Sequence, residues 1–220
     1  MLPMDEMIAK ILIIAFLMES IVLHEMAHGY IALLFGDRTA QRQGRITFNP
    51  IVHIDPLWTI AMPIVAYFLS NGTFIIGGAK PVPVDPRNYR WPVLGDICVS
   101  VAGVAVNFLI AVTMILLLNI VHIVSGNFAD SLAVYVMLRV ALLNIVLAMF
   151  NLIPIPPLDG SHLFKYLLPA GLRGSYEMLG RTGAGFIILI ILINVPGLWN
   201  IFSTVFFGVR DFLLSHLIFF

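Results

Sequence analysis

The chain has 220 residues, 60% of them hydrophobic and 11% charged, with twelve Lys and Arg against twelve Asp and Glu. A mean hydropathy of +1.00 excludes a globule in water, where about a quarter of the residues are charged, and the zero net charge leaves no basic footprint for nucleic acid. With Cys98 as the only cysteine, an internal disulfide and a zinc site built on cysteine pairs are excluded as well.

The composition predicts an all-α polytopic membrane protein, one integral domain over 1–220 surrounded by lipid bilayer. A spanning helix needs about 20 mostly apolar residues. The first such run is 8–35. Its flank, MLPMDEMIAK, is acidic and no small-residue cleavage site follows, so it reads as a retained span rather than a signal peptide. Inside it stands HEMAH, an H-E-x-x-H pattern. His24 and His28, four apart, lie one above the other on a helix face, and Glu25 borders that face. Two imidazoles so placed can bind one Zn²⁺ while the carboxylate reaches a water beside it. The alternative is a polar patch at a helix–helix contact. Ionisable groups are costly inside a membrane, which favours the functional reading.

Residues 36–93 follow as a polar connection. It holds "NPIVHIDP", where His53 either donates to a reaction intermediate or is incidental to the loop. The apolar run 57–69 is short for a crossing and reads as tilted, re-entrant or packed within protein. After it, the alternation in "KPVPVDP" and the flanking glycines predict a short extended or β segment or a loop, not helix. Its edge either pairs with an extended substrate or merely covers the cleft.

The second span is 94–124 and carries Asn107, an amide that serves either an oxyanion or an interhelical hydrogen bond. The third is 131–153. Just past it, in "FNLIPIPPLDGSHLF", Asp159 is the best candidate for the third protein ligand that a catalytic zinc usually takes. Taken alone it also reads as the N-cap of a following helix. Asn151 is placed to orient this turn. The last apolar run, 183–218, is broken at "NVPGLW" into 183–195 and 198–218.

Arg38, Arg42, Arg45, Lys80, Arg87 and Arg90 fall within 36–93, and Lys165, Arg173 and Arg181 follow the third span, while 125–130 has no Lys or Arg. Positive residues stay inside. The two basic stretches therefore face the cytoplasm, and Asp159 comes to the same depth as the histidine pair.

HEMAHGY together with "NLIPIPPLDG" resembles the site-2 proteases, intramembrane zinc metalloproteases, in a small prokaryotic form. "FGDRTAQRQGRITFNPIVHIDP", "GGAKPVPVDPRNYR" and "VAGVAVNF" extend the likeness over about 20–165. Val104 stands where that family usually has proline, with Asn107 retained. The resemblance implies His24, His28 and Asp159 as ligands of one zinc per chain and Glu25 as general base. It implies a three-helix catalytic core, 8–35, 94–124 and 131–153, with the extended segment between the first two and flanking membrane helices at 183–218. It also implies a single-span membrane protein as substrate and a prokaryotic cell membrane as location, and the polar 36–56 region beside HEMAH argues for a site toward the cytoplasm. Two rivals are a metal transporter and a non-catalytic scaffold with a structural zinc. A transporter tends to show paired repeats, which are absent here. A structural zinc is four-coordinate and closed, whereas three strong ligands are visible.

Overall fold

A computed structural model describes residues 3–69, 77–125 and 131–218. Its regular elements are helical. In order they are α1 (Pro3–Leu34), α2 (Thr39–Arg42), α3 (Met62–Leu69), α4 (Pro92–Ser125), α5 (Leu132–Asn151), α6 (Asp159–Phe164), α7 (Ala170–Arg181), α8 (Ala184–Asn194) and α9 (Pro196–Leu217). Three of them, over Met4–Leu34, Pro92–Val124 and Leu132–Asn151, are long and apolar enough to cross a membrane. They coincide with the first three spans expected. The helix α8 has 11 residues, about 16 Å at 1.5 Å per residue, against roughly 30 Å of hydrocarbon. The 22-residue α9 carries Arg210 and Asp211 and does not meet the same measure. The run 57–69 becomes a π-helical turn, Pro56–Ala61, followed by α3.

The expected extended or β segment is not found as a strand. Among the described residues there is no strand, and 77–85 is irregular chain; 70–76 lie outside the described residues. The reason is where its donors go. The Lys80 N–H bonds the His53 carbonyl at 2.8 Å, that of Val82 goes to the Glu25 carboxylate at 2.7 Å and that of Asp85 to Asp37 at 2.7 Å. Pro81 and Pro83 have none to give. No ladder can form from donors already spent.

The chain divides into two compact units, Met18–Gly103 and Met1–Leu17 with Val104–Phe220. In the first, α1 ends in a Schellman motif. Gly36 adopts φ +107°, its N–H bonds Leu33 O at 3.0 Å, and the Asp37 N–H bonds Ala32 O at 2.9 Å. The chain thereby leaves the helix with its last carbonyls satisfied. Asp37, buried, then accepts from the Thr39 N–H and hydroxyl at 3.0 and 2.5 Å, from the Asp85 N–H and from the Asn88 amide at 2.9 Å. Ala32, Tyr89 and Val99 form the apolar core beside it, with Ile31, Phe35 and Val84 packed on them. The Tyr89 ring lies on Gly95, where a Cβ would meet it at 2.8 Å.

In the second unit, Ala9 of α1 packs with Val136 and Val140 of α5, surrounded by Ile13, Ile110, Met114, Leu132 and Tyr135. Ala111, Ala141 and Ala148 are fully buried. Small residues let helices approach closely in lipid, where packing rather than exclusion from water drives association. Large side chains turn outward instead: Ile123 and Val124 are 78% and 77% exposed. Ser131 caps α5, its hydroxyl accepting from the Val134 N–H at 3.2 Å. Past α5 the turn 152–158, with a cis Pro156–Pro157 bond, is gripped from several sides. A Cβ on Gly160 would run into the Leu152 carbonyl oxygen, one on Gly185 into that of Pro156, and the Tyr176 hydroxyl donates to Pro154 O at 2.8 Å.

Candidate metal centre

The centre starts from α1, because the HEMAH spacing places three chemical side chains on one helical turn. His24 and His28 are 7% and 8% exposed. Their Nε2 atoms are 3.1 Å apart and their rings meet edge to face, with centroids 4.7 Å apart and 83° between planes. The His28 Nδ1 lies 2.7 Å from the Val99 carbonyl of α4. A carbonyl only accepts, so this contact assigns the proton to Nδ1 and turns the Nε2 lone pair toward His24.

Gly103 of α4 completes the wall. A Cβ there would stand 2.5 Å from His24 Cε1 and 2.6 Å from both Nε2 atoms. The helix leaves open the space that both Nε2 atoms address. Two nitrogens on one tetrahedral zinc at about 2.0–2.1 Å stand roughly 3.3 Å apart. The 3.1 Å separation, the fixed tautomer and the missing Cβ fit a zinc ion.

Glu25, half-buried, is held through Oε2 by the Val82 N–H at 2.7 Å. His53 is 2% exposed, and its Nε2 lies 3.0 Å from the Thr47 carbonyl. None of the described hydrogen bonds joins it to the histidine pair. Its Nδ1 is buried and lacks a partner among the described residues. Asn107 and Asp159 belong to the other unit. Asn107, 1% exposed, follows Gly103 by one turn of α4. Asp159, half-buried, is the first residue of α6, whose N-cap is Leu158. It is therefore not the N-cap that its sequence context also allowed. Asn151 does not reach forward to this turn. Its amide donates back to the Leu147 carbonyl at 3.0 Å, inside α5.

Three contributors to this geometry left no clear mark in the sequence. Gly103 acts by lacking a side chain, Val99 and Val82 through backbone atoms. The small-residue pattern "VAGVAV" was the one visible trace of Gly103.

A model of Peptidase family M50 matches residues 117–193. YwhC of Bacillus subtilis, which carries zinc metalloprotease in its name, is 36% identical over 184 residues, covering 82% of this chain and 78% of its own. The chain belongs to peptidase family M50. Rip2 of Mycolicibacterium smegmatis, named in the same way, is 29% identical over 215 residues, covering 96% of this chain and 77% of its own. No solved structure matches. Membership in family M50, the site-2 protease family, and three helices fit to span make this protein a membrane metalloprotease. The part matched by the family model contains Asp159 and ends before neither α5 nor α6, whereas HEMAH lies outside it.

Proposed function

We propose that this M50 protease cuts membrane-spanning proteins within or near the bilayer, with His24, His28 and Asp159 holding one zinc and Glu25 as general base. The observation that carries the reading is the imidazole pair with its Nε2 atoms 3.1 Å apart, facing the missing Cβ of Gly103 inside a spanning helix. Asp159 supplies the remaining protein ligand in this proposal. The family resemblance and its place as the first residue of α6, directly after the tightly gripped turn, support it.

Zinc bound there supplies a water of lowered pKa and polarises the scissile carbonyl. The chain's own residues do the rest. The Val99 carbonyl keeps His28 in the ligating tautomer. Glu25 takes a proton from water and delivers it to the leaving amine. Among the described residues its Oε1 has no hydrogen-bond partner, so one carboxylate oxygen is left for that exchange. Asn107, in α4, donates to the developing oxyanion. His53 gives its Nε2 proton to the Thr47 carbonyl, which leaves its buried Nδ1 as an acceptor, so Asn107 is the donor of the two. The substrate is a single-span protein that must be unwound before its peptide bonds are reachable. The site faces the cytoplasmic side of a prokaryotic cell membrane, as the basic loops 36–93 and 154–182 support.

The test is metal content and cleavage measured together on wild type, Glu25→Gln and Asp159→Ala in detergent, with a panel of single-span proteins. Wild type should carry about one zinc per chain and cut. Glu25→Gln should keep zinc and lose cutting by about 10²–10⁴-fold. Asp159→Ala should lose both. Cutting that survives Glu25→Gln ends the mechanism.

A further inference from the structure

Between residues 81 and 83 the chain reads Pro-Val-Pro, so Val82 has the only N–H of the three. That N–H is spent on Oε2 of Glu25, at 2.7 Å, across 57 residues of sequence. We infer that the backbone N–H of Val82 is the positioning donor that fixes the Glu25 carboxylate. The inference rests on the reading of Glu25 as base.

Several independent contacts place this donor. The Val82 side chain, 6% exposed, occupies the notch left by Gly29, one turn beyond Glu25 on α1; a Cβ on Gly29 would lie 2.9 Å from Val82 Cγ1. Behind it, the Arg45 guanidinium donates to Lys80 O at 2.7 Å and to Pro81 O at 3.4 Å. The Lys80 N–H is anchored on the His53 carbonyl and the Asp85 N–H on Asp37. Glutamate is among the side chains richest in rotamers, and ordering it costs entropy. A donor delivered by a loop tied at Lys80, Arg45 and Asp37 meets that cost before substrate arrives. Holding one oxygen leaves the other directed, which a base must be to take a proton along a defined line. The same contact explains why the segment offers no free edge at Val82.

The experiment uses Val82→Pro, which deletes the N–H between two residues that are already proline, with Val82→Ala as the control that keeps it. Zinc content, kcat and KM on a single-span substrate are measured with Glu25→Gln alongside. Val82→Pro should keep one zinc, hold KM within about twofold and lose about 10–100-fold in kcat, the scale on which partners of site residues act. Val82→Ala keeps the N–H but empties the notch beside Gly29, so its loss in kcat should be clearly smaller than that of Val82→Pro. A second readout does not depend on turnover: hydrogen exchange of the Val82 amide, by NMR of valine-labelled protein as purified. It should be at least about tenfold faster in Glu25→Ala than in wild type, and remain slow in Glu25→Gln, whose amide oxygen still accepts. Unchanged or raised kcat in zinc-loaded Val82→Pro overturns the inference. So does a Val82 exchange rate indifferent to residue 25, which decides the matter even where Val82→Pro fails to fold. A Glu25→Gln protein that still cuts removes the base reading itself, a result separate from either.

Discussion

Gly103 shows how much chemistry one missing methyl group can carry. Its hydrogen faces both imidazole Nε2 atoms, and a Cβ would sit 2.6 Å from each. Helix propensity would favour alanine at this position by about 1 kcal/mol. The site therefore has steric grounds to keep glycine. Gly103→Ala should leave the helix content by circular dichroism as it was and lower bound zinc, by mass spectrometry of the metal, at least about tenfold in affinity. Normal zinc and cutting in this variant would remove Gly103 from the site. The three side chains of HEMAH were legible because their chemistry needs a fixed spacing along one helix. Gly103 and Val82 were not, since they meet α1 from 75 and 57 residues away in sequence measured from His28 and Glu25. A backbone donor is also the same in every residue but proline.

Elements were easier to read than their joints. Length and apolarity alone located α1, α4 and α5, the last at Leu132–Asn151 against 131–153 expected. The helix α1 begins earlier than expected, at Pro3, because Asp5 and Glu6 suit the positive end of the helix dipole and Lys10 pairs with Glu6 one turn on. For the segment after α3 the pattern allows strands or a loop, and 77–85 is irregular chain. Alternating Pro and Val fits a strand, but the donors between the prolines had tertiary partners that no local pattern reveals. The turn before α6 was legible as a turn, from its prolines and glycine, and its tightness was not. Gly160 packs directly beneath the Leu152 carbonyl, so Gly160→Ala must displace the start of α6 and Asp159 with it. Overpacking of this kind costs about 1–3 kcal/mol. The variant should melt lower and lose zinc in parallel, whereas Gly171→Ala, where a Cβ meets nothing within 4 Å, should change neither.

Across the whole molecule, the surface and the core are arranged for lipid, and the polar loops carry the pH response. Asp37 lies outside the spans and holds the chain after α1 to Asp85 and Asn88. Burial alone would push its carboxyl up, but the Thr39 hydroxyl, the amides of Asp85 and Thr39 and the Asn88 side chain together hold it below the ordinary aspartate value. A carboxyl lowered by folding stabilises the folded state above the unfolded pKa, about 3.9. That contribution disappears as pH falls through the lower folded value. Thermal melts in detergent should therefore show wild type losing stability below about pH 4, with a shallower loss in Asp37→Asn. Equal slopes in the two proteins would mean that the network does not report on folding.

Gly103 has one more consequence, and it is genetic. Most lipid-facing positions of α4 can exchange one apolar residue for another, so random mutation there is largely silent. At Gly103 every replacement adds at least the carbon that the imidazoles exclude. Selection for protease loss in a mutagenised population should then recover many different codons at this one position, among lipid-facing neighbours that yield almost none, and would find it as readily as it finds the histidines.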